Sequence, residues 1–393
     1  MSNVKITDQQ YVANTYGRFD LVLSHGEGSI VYDENGKKYV DLATGIAVNT
    51  FGYSDPAWVA AVTEQLGRLQ HTSNLYYHEP GARLAEKLCA RTGAASVFFS
   101  NSGAEANECA IKTARLWAAR NKGVDYYQII TLKNSFHGRT ITTLAATGQD
   151  SFHTDFTPLT EGFLYAEANC LASVEELLKS HKCAAVMAEP VQGEGGVMPL
   201  TQDFMEGLRA LCDQYNVLLI LDEVQTGNGR SGCLYAFQHY GVTPDVMSTA
   251  KGLGGGLPIG ATLFFGKAHG TLTAGLHGST FGANPISCAA ACHVLDRIDD
   301  ALLSEVKEKS EYVFATLSGR PGIKSVSGLG LMIGIETEGD SGKILAACME
   351  RGILPIKAKS KIRLLPALNI GWDELKYALE ILAEEAEKAA LGN

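Results

Sequence analysis

No two of the nine cysteines stand at CxxC spacing. They are scattered, and several sit in apolar stretches, such as Cys183 in CAAVMAE and Cys212 in LRALCDQY. That usage argues against a zinc site and for reduced, buried thiols in a cytoplasmic protein. No apolar run approaches the ~20 residues of a membrane-spanning helix. The opening MSNVKITDQQ lacks the apolar core of a secretory signal. Basic residues are in deficit: 33 Lys and Arg face 43 Asp and Glu, a net charge of -10. Nucleic acid is therefore not the expected partner, because phosphate backbones need a cationic face. A small anion held in a local basic pocket remains compatible. The phosphate-loop pattern GxxxxGK[ST] is missing. Its nearest approach, Thr337 to Ile344, has Thr337 for the first glycine and Ile344 for the final hydroxyl residue. Low-complexity tracts, long linkers and internal repeats are also absent.

What is present is ordinary globular material, 46% hydrophobic and 19% charged, in 393 residues. That length exceeds one ordinary core and suggests two packed domains. Strand-like Ser29–Tyr32 and Lys38–Asp41 flank Asn35-Gly36, a favoured hairpin turn pair. From about Tyr53, short apolar strands alternate with helices. Strands are expected at Val97–Phe99, Ile129–Thr131, Ala184–Ala188, Val217–Leu221, Val246–Ala250 and Ala261–Phe265. Helices are expected from about Ala104 to Arg120, and before Val217, where Phe204, Leu208, Leu211, Cys212 and Tyr215 share one face. Continuous apolar strands between helices imply an α/β protein with a mostly parallel sheet covered on both sides. After about Leu295 two helices flank one strand near Leu331–Glu336, and a helix runs from Asp373 onward. The expected division is a large domain at 51–295 and a smaller α+β domain at 296–393, with residues 1–50 packing against the latter.

Open α/β sheets bind ligands at the carboxyl ends of their strands, and three unusual elements fall there. Ser100-Asn101-Ser102-Gly103-Ala104-Glu105 joins a strand to a helix; Ser102 can cap that helix and free N–H groups at its start can hold a phosphate. On the motif alone, a plain capped helix is the simpler reading. Asp222 follows four aliphatic residues, Leu218 to Leu221. A buried acid there needs a partner, a strand-end cap, a metal, or a protonated ring nitrogen of a cofactor. Lys251 stands directly before the glycine-rich Gly252-Leu253-Gly254-Gly255-Gly256. Its amine can condense with an aldehyde, although a lone lysine at a strand end is more often solvated.

In order, the chain carries Gly45-Ile46-Ala47-Val48, His71-Thr72-Ser73-Asn74, Asn101 to Glu108, Phe136-His137-Gly138-Arg139, Glu189 to Gly196, Asp222 to Gly227, Lys251 and His277 to Pro285. Together these motifs resemble the class III, or ω-amino acid, pyridoxal-phosphate-dependent aminotransferases over nearly the whole chain. The resemblance implies a type I transferase fold and pyridoxal 5'-phosphate as cofactor. It implies that Lys251 carries the cofactor and moves the proton, and that Asp222 pairs with the pyridine nitrogen. Val224 and Phe136 would pack on the ring, Gln225 would bond its phenolic oxygen, and Gly103 and Ala104 would hold the phosphate. Thr280 would reach the phosphate from a neighbouring subunit, with Ser279 near the substrate, which makes a homodimer the active unit. His137 is expected to be structural rather than catalytic. Arg363 would bind the α-carboxylate of glutamate, Glu194 would cover Arg363 when that carboxylate is absent, and Arg139 would take the distant carboxylate. Arg363 is expected to be partly buried, given its neighbours Ile362, Leu364 and Leu365. Within the family the chain is most similar to the branch that moves the terminal amine of N-acetylornithine to 2-oxoglutarate, giving glutamate. Ornithine, succinylornithine or 4-aminobutyrate as donor, a racemase or aminomutase, and a non-catalytic binding protein are the competing readings.

Overall fold

The computed structural model describes residues 3–392; Met1, Ser2 and Asn393, the outermost residues of the two terminal segments, lie outside the described residues. Its centre is a seven-stranded sheet in the order Ser96–Ser100, Gly260–Phe264, Val246–Thr249, Leu218–Asp222, Cys183–Ala188, Gln128–Leu132, Phe163–Ala166. Residues 218–221 are fully buried, as a strand covered on both faces must be. Helices Gly103–Asn121 and Gln202–Gln214 pack on this sheet. The second shows Phe204, Leu208 and Cys212 buried on one face.

One strand departs from the parallel expectation. Gly260–Phe264 runs antiparallel to both of its neighbours. Only residues 250–259 connect it to Val246–Thr249. A parallel crossover needs roughly a dozen residues or more, so this short link turns the chain back. Lys251 lies in that turn.

A second, four-stranded sheet has the order Ile323–Leu329, Met332–Thr337, Lys361–Leu364, Ile356–Ala358. The sequence analysis expected one strand in this region. The others carry Lys, Arg, Ser or Gly between their apolar residues, so they show little periodicity. Helices Asp300–Leu317, Ser341–Glu350 and Trp372–Ala390 accompany this sheet. Its core also contains Ile30, Val40 and Leu42. Ile30 and Val40 come from the hairpin strands Ile30–Asp33 and Lys38–Asp41, and Leu42 directly follows the second, which pairs in parallel with Ile353–Leu354. Gly36 makes the hairpin turn at φ +81°, a conformation that glycine adopts without cost.

The sheet topology places the site. Strands ending at Ser100, Leu132, Ala188, Asp222 and Thr249 all point the same way. The segments that follow them therefore meet at one edge, and they carry Gly103, Phe136, Glu189, Val224 and Lys251.

Candidate active site

Those segments enclose a cavity of about 440 Å³. Gly103, Ala104, Phe136, Arg139, Asp222, Val224, Gln225 and Lys251 line it, together with Asn107, His137 and Glu189. Helix Gly103–Asn121 starts at its wall. Ser102 caps the helix by accepting the N–H of Glu105 at 3.2 Å. The Glu105 carboxylate turns back to accept the N–H of Asn101 at 2.6 Å. The N–H groups of Gly103 and Ala104 have no carbonyl behind them in the helix, as at every helix start, and suit an anion. A Cβ at Gly103 would come within 2.7 Å of Val224, so only glycine lets these two elements approach.

Asp222 is 4% exposed. Its Oδ2 accepts from Asn107 Nδ2 at 2.7 Å and lies 2.8 Å from His137 Nδ1, while Oδ1 accepts the N–H of Val224 at 3.1 Å. These contacts fix the carboxylate's orientation at the end of an apolar strand. The next residue, Glu223, is fully buried and accepts from Thr226 Oγ1 and from the N–H groups of Ala236 and Phe237 at 2.9 and 2.6 Å. Burial raises its pKa to about 7. Glu223 thereby pins the loop that carries Val224 and Gln225.

Lys251 has φ +45°, a left-handed conformation that a side-chain-bearing residue adopts only under constraint. The constraint is visible on either side. Asn228 Nδ2 holds the Ala250 carbonyl at 3.1 Å and Thr50 Oγ1 holds the Gly252 carbonyl at 2.7 Å. Burial pulls the Lys251 pKa below the ordinary lysine range; Glu194 opposes that shift and Arg363 adds to it. The amine is therefore shifted toward its neutral, nucleophilic form.

Glu189 accepts the N–H groups of Phe136 and Gly193 at 2.9 and 3.3 Å. Burial raises its pKa, with nearby His137 acting in the opposite sense. At Gly193 a Cβ would meet Gln225 Nε2 at 2.6 Å. Arg363 is 2% exposed, a deeper burial than its sequence neighbours suggested. It donates to Glu194 at 2.7 and 3.3 Å and to Gln225 Oε1 at 3.1 Å. Burial alone would raise the Glu194 pKa, but the Arg363 charge and hydrogen bonds outweigh it and hold the carboxyl below its usual range.

The remaining expected residues lie at the rim of the cavity or outside it. Arg139 is exposed and has no ion pair with a carboxylate among the described residues; its guanidinium lies over the Phe152 and Phe136 rings at 4.6 and 5.9 Å. Ser279 Oγ accepts from Asn101 Nδ2 at 3.1 Å. Thr280 is exposed and lines a separate depression with His71 and His277. Asn107, Glu189, Asn228 and Thr50 join the site without having been expected there. Asn107 could have been found from its place one helical turn beyond Ala104. For Asn228 and Thr50, which meet the lysine turn from distant segments, the sequence holds no local signal.

The cavity suits pyridoxal phosphate. A buried, oriented carboxylate fits a protonated ring nitrogen, and the low-pKa amine fits an aldehyde. The open helix start fits a phosphate, and Phe136 and Val224 supply apolar wall. The aminotransferase class-III family profile matches residues 11–385. The chain belongs to the class III aminotransferases. Class III aminotransferases are pyridoxal-phosphate-dependent enzymes, and this chain is one by descent as well as by site geometry. It is 48% identical to an acetylornithine aminotransferase of Haemophilus ducreyi, over 97% of this chain and 98% of the relative. It is 44% identical to a succinylornithine transaminase of Yersinia pseudotuberculosis, over 96% and 95% of the two chains. The solved ornithine aminotransferase of Toxoplasma gondii ME49 superposes with a TM-score of 0.95 at 32% identity, covering 99% of this chain and 96% of that one.

Proposed function

We propose that this class III aminotransferase moves the terminal amine of N-acetylornithine to 2-oxoglutarate, yielding N-acetylglutamate semialdehyde and glutamate, as a cytoplasmic homodimer in arginine biosynthesis. The observation that carries the reading is the ion pair of buried Arg363 with half-buried Glu194 beside the lysine cavity. Two dissimilar substrates must react in one site. Glutamate brings a carboxylate beside its reacting carbon and acetylornithine brings none. An uncovered buried guanidinium would be costly in the second case. Glu194 covers Arg363 then, and gives way when the glutamate carboxylate takes its place.

The roles divide among the chain's own groups. Gly103 and Ala104 would hold the cofactor phosphate, Gln225 the phenolic oxygen and Asp222 the ring nitrogen, with Phe136 and Val224 against the ring. When bound, the cofactor supplies an electron sink for the carbanion formed at the substrate carbon. Lys251, freed as a neutral amine, would take the proton from that carbon on its Nζ and give it up to the cofactor's aldehyde-derived carbon rather than back to the substrate. Asn107 and His137 keep the Asp222 carboxylate fixed, so its charge stays in place through the reaction. Arg139 would meet the distant carboxylate of either substrate. Ser279 would lie near substrate, and Thr280 would reach the phosphate of the neighbouring subunit's site. Its exposure away from the Lys251 cavity of its own chain supports that sharing.

A donor panel with 2-oxoglutarate as acceptor tests the proposal. N-acetylornithine should give the highest kcat/KM, ahead of succinylornithine, ornithine and 4-aminobutyrate. A higher value for any of those three would replace the proposed donor. Turnover without a keto acid would point instead to a racemase or mutase.

A further inference from the structure

Arg230 is 3% exposed, and no carboxylate pairs with it among the described residues. Its Nη1 donates to the carbonyls of Leu331 and Pro366 at 3.1 and 2.5 Å, and its own carbonyl accepts the N–H of Leu331 at 2.9 Å. Its Nε has no partner. Burial without a counter-ion pulls its pKa down to about 9. A buried guanidinium with only neutral partners is a poor way to gain stability, so its geometry needs another explanation.

That geometry joins two parts of the site. Arg230 lies within the loop that leaves Asp222, carries Val224 and Gln225, and runs on to helix Ala236–Tyr240. Pro366 follows directly on Arg363-Leu364-Leu365, and Leu331 abuts Met332–Thr337, the strand paired with Lys361–Leu364. One side chain thus ties the Gln225 loop of the seven-stranded sheet to the residues flanking the Arg363 strand and one of its two neighbours. Across the same gap, Arg363 reaches Gln225 and Glu194. Other ties hold the following residues: Thr44 Oγ1 donates to the Leu365 carbonyl at 2.6 Å, and the Leu368 N–H donates to the Thr50 carbonyl at 2.9 Å. Loss of Arg230 would therefore shift the Arg363 strand rather than release it.

We propose that Arg230 is a positioning residue for Arg363, setting the reach of that guanidinium toward the substrate carboxylate at the reacting carbon. The inference rests on the carboxylate role proposed for Arg363. Small displacements of a binding group cost up to about 100-fold, and here the cost falls on one substrate only. Glutamate and 2-oxoglutarate need Arg363 in register, whereas N-acetylornithine does not bind it.

The test compares Arg230→Met, Arg230→Lys and Arg363→Ala in single half-reactions of the holoenzyme with glutamate and with N-acetylornithine. Arg230→Met should raise the glutamate KM about tenfold or more while the N-acetylornithine kcat/KM stays within about threefold. Arg230→Lys, which keeps the charge but replaces the planar guanidinium with a compact ammonium, should fall between the wild type and Arg230→Met. Equal losses with both substrates, or no change in either, would overturn the inference. If Arg230→Met does not fold, a wild-type glutamate KM in Arg230→Lys overturns it and a selective rise upholds it. An unchanged glutamate KM in Arg363→Ala would instead remove the underlying role of Arg363, and the inference with it.

Discussion

Arg363 Nη1 lies 2.7 Å from Glu194 Oε1, and the arginine is 2% exposed. On the role proposed for it, the pair covers the side of the site where the two substrates differ, and the first prediction follows from that role. Glu194→Gln keeps the shape and removes the charge. Hydrogen bonds to charged groups contribute about 1.5–3 kcal/mol, so the ratio of glutamate to N-acetylornithine kcat/KM should rise roughly tenfold or more. Stopped-flow half-reactions measure that ratio directly, and an unchanged value contradicts the covering role.

Asp222 is the second point of leverage. Asp222→Asn retains hydrogen-bonding capacity toward Asn107 and His137 but loses the negative charge. Removing one preorganised electrostatic group typically lowers kcat by about 100- to 1000-fold. The same loss is expected here, with only a modest change in thermal midpoint. Asp222→Ala should lower the midpoint as well, because it leaves Asn107 Nδ2 and His137 Nδ1 buried without their acceptor. Steady-state rates and thermal melts on both variants separate the two effects.

Glu223 predicts a pH dependence of stability. Its folded pKa, about 7, stands above the ordinary 4.5. The folded state therefore binds the proton more tightly than the unfolded one. This contribution is fully present below about pH 4.5 and is lost as pH rises through 7, a total on the order of 3 kcal/mol. Glu223→Gln should flatten the decline in unfolding free energy between roughly pH 5 and 7. Denaturant titrations across that range would show a slope identical to wild type if the carboxyl is already ionised when folded.

The proposed sharing of the site between two subunits is tested at Thr280. Thr280→Ala should weaken cofactor binding by about three- to tenfold, the range of one ordinary hydrogen bond. Dilution into the range where the proposed dimer dissociates should release cofactor from the wild type. Retention of full cofactor affinity by a monomeric species would contradict the sharing of Thr280 between subunits.

Much of this arrangement was legible in the sequence. Leu218 to Leu221 announced a buried strand, and Asp222 after them announced a carboxylate that needed a use. Ser102-Gly103 announced a capped helix start. Lys251 before its glycine-rich turn became informative only beside those two. The antiparallel turn of Gly260–Phe264 follows from the length of the 250–259 link, yet the apolar strand pattern gives no sign of direction. The short strands Ile356–Ala358 and Lys361–Leu364 stayed unread because three or four residues with lysines among them carry too little periodicity. The left-handed conformation of Lys251 was equally hidden. It is imposed by Asn228 and Thr50, whose contacts arise from tertiary packing. The depth of Arg363 depends likewise on Glu194 and Gln225, more than 130 residues away in sequence.

The account stands on the Lys251 amine beside the Asp222 carboxylate as the seat of the cofactor. Purified protein should be incubated with pyridoxal 5'-phosphate, reduced with borohydride and digested for peptide mapping. The account predicts a yellow protein before reduction, one pyridoxyl group per chain afterwards, fixed on Lys251, and none in Lys251→Ala. A colourless protein with no label, or a label on another lysine, would contradict it.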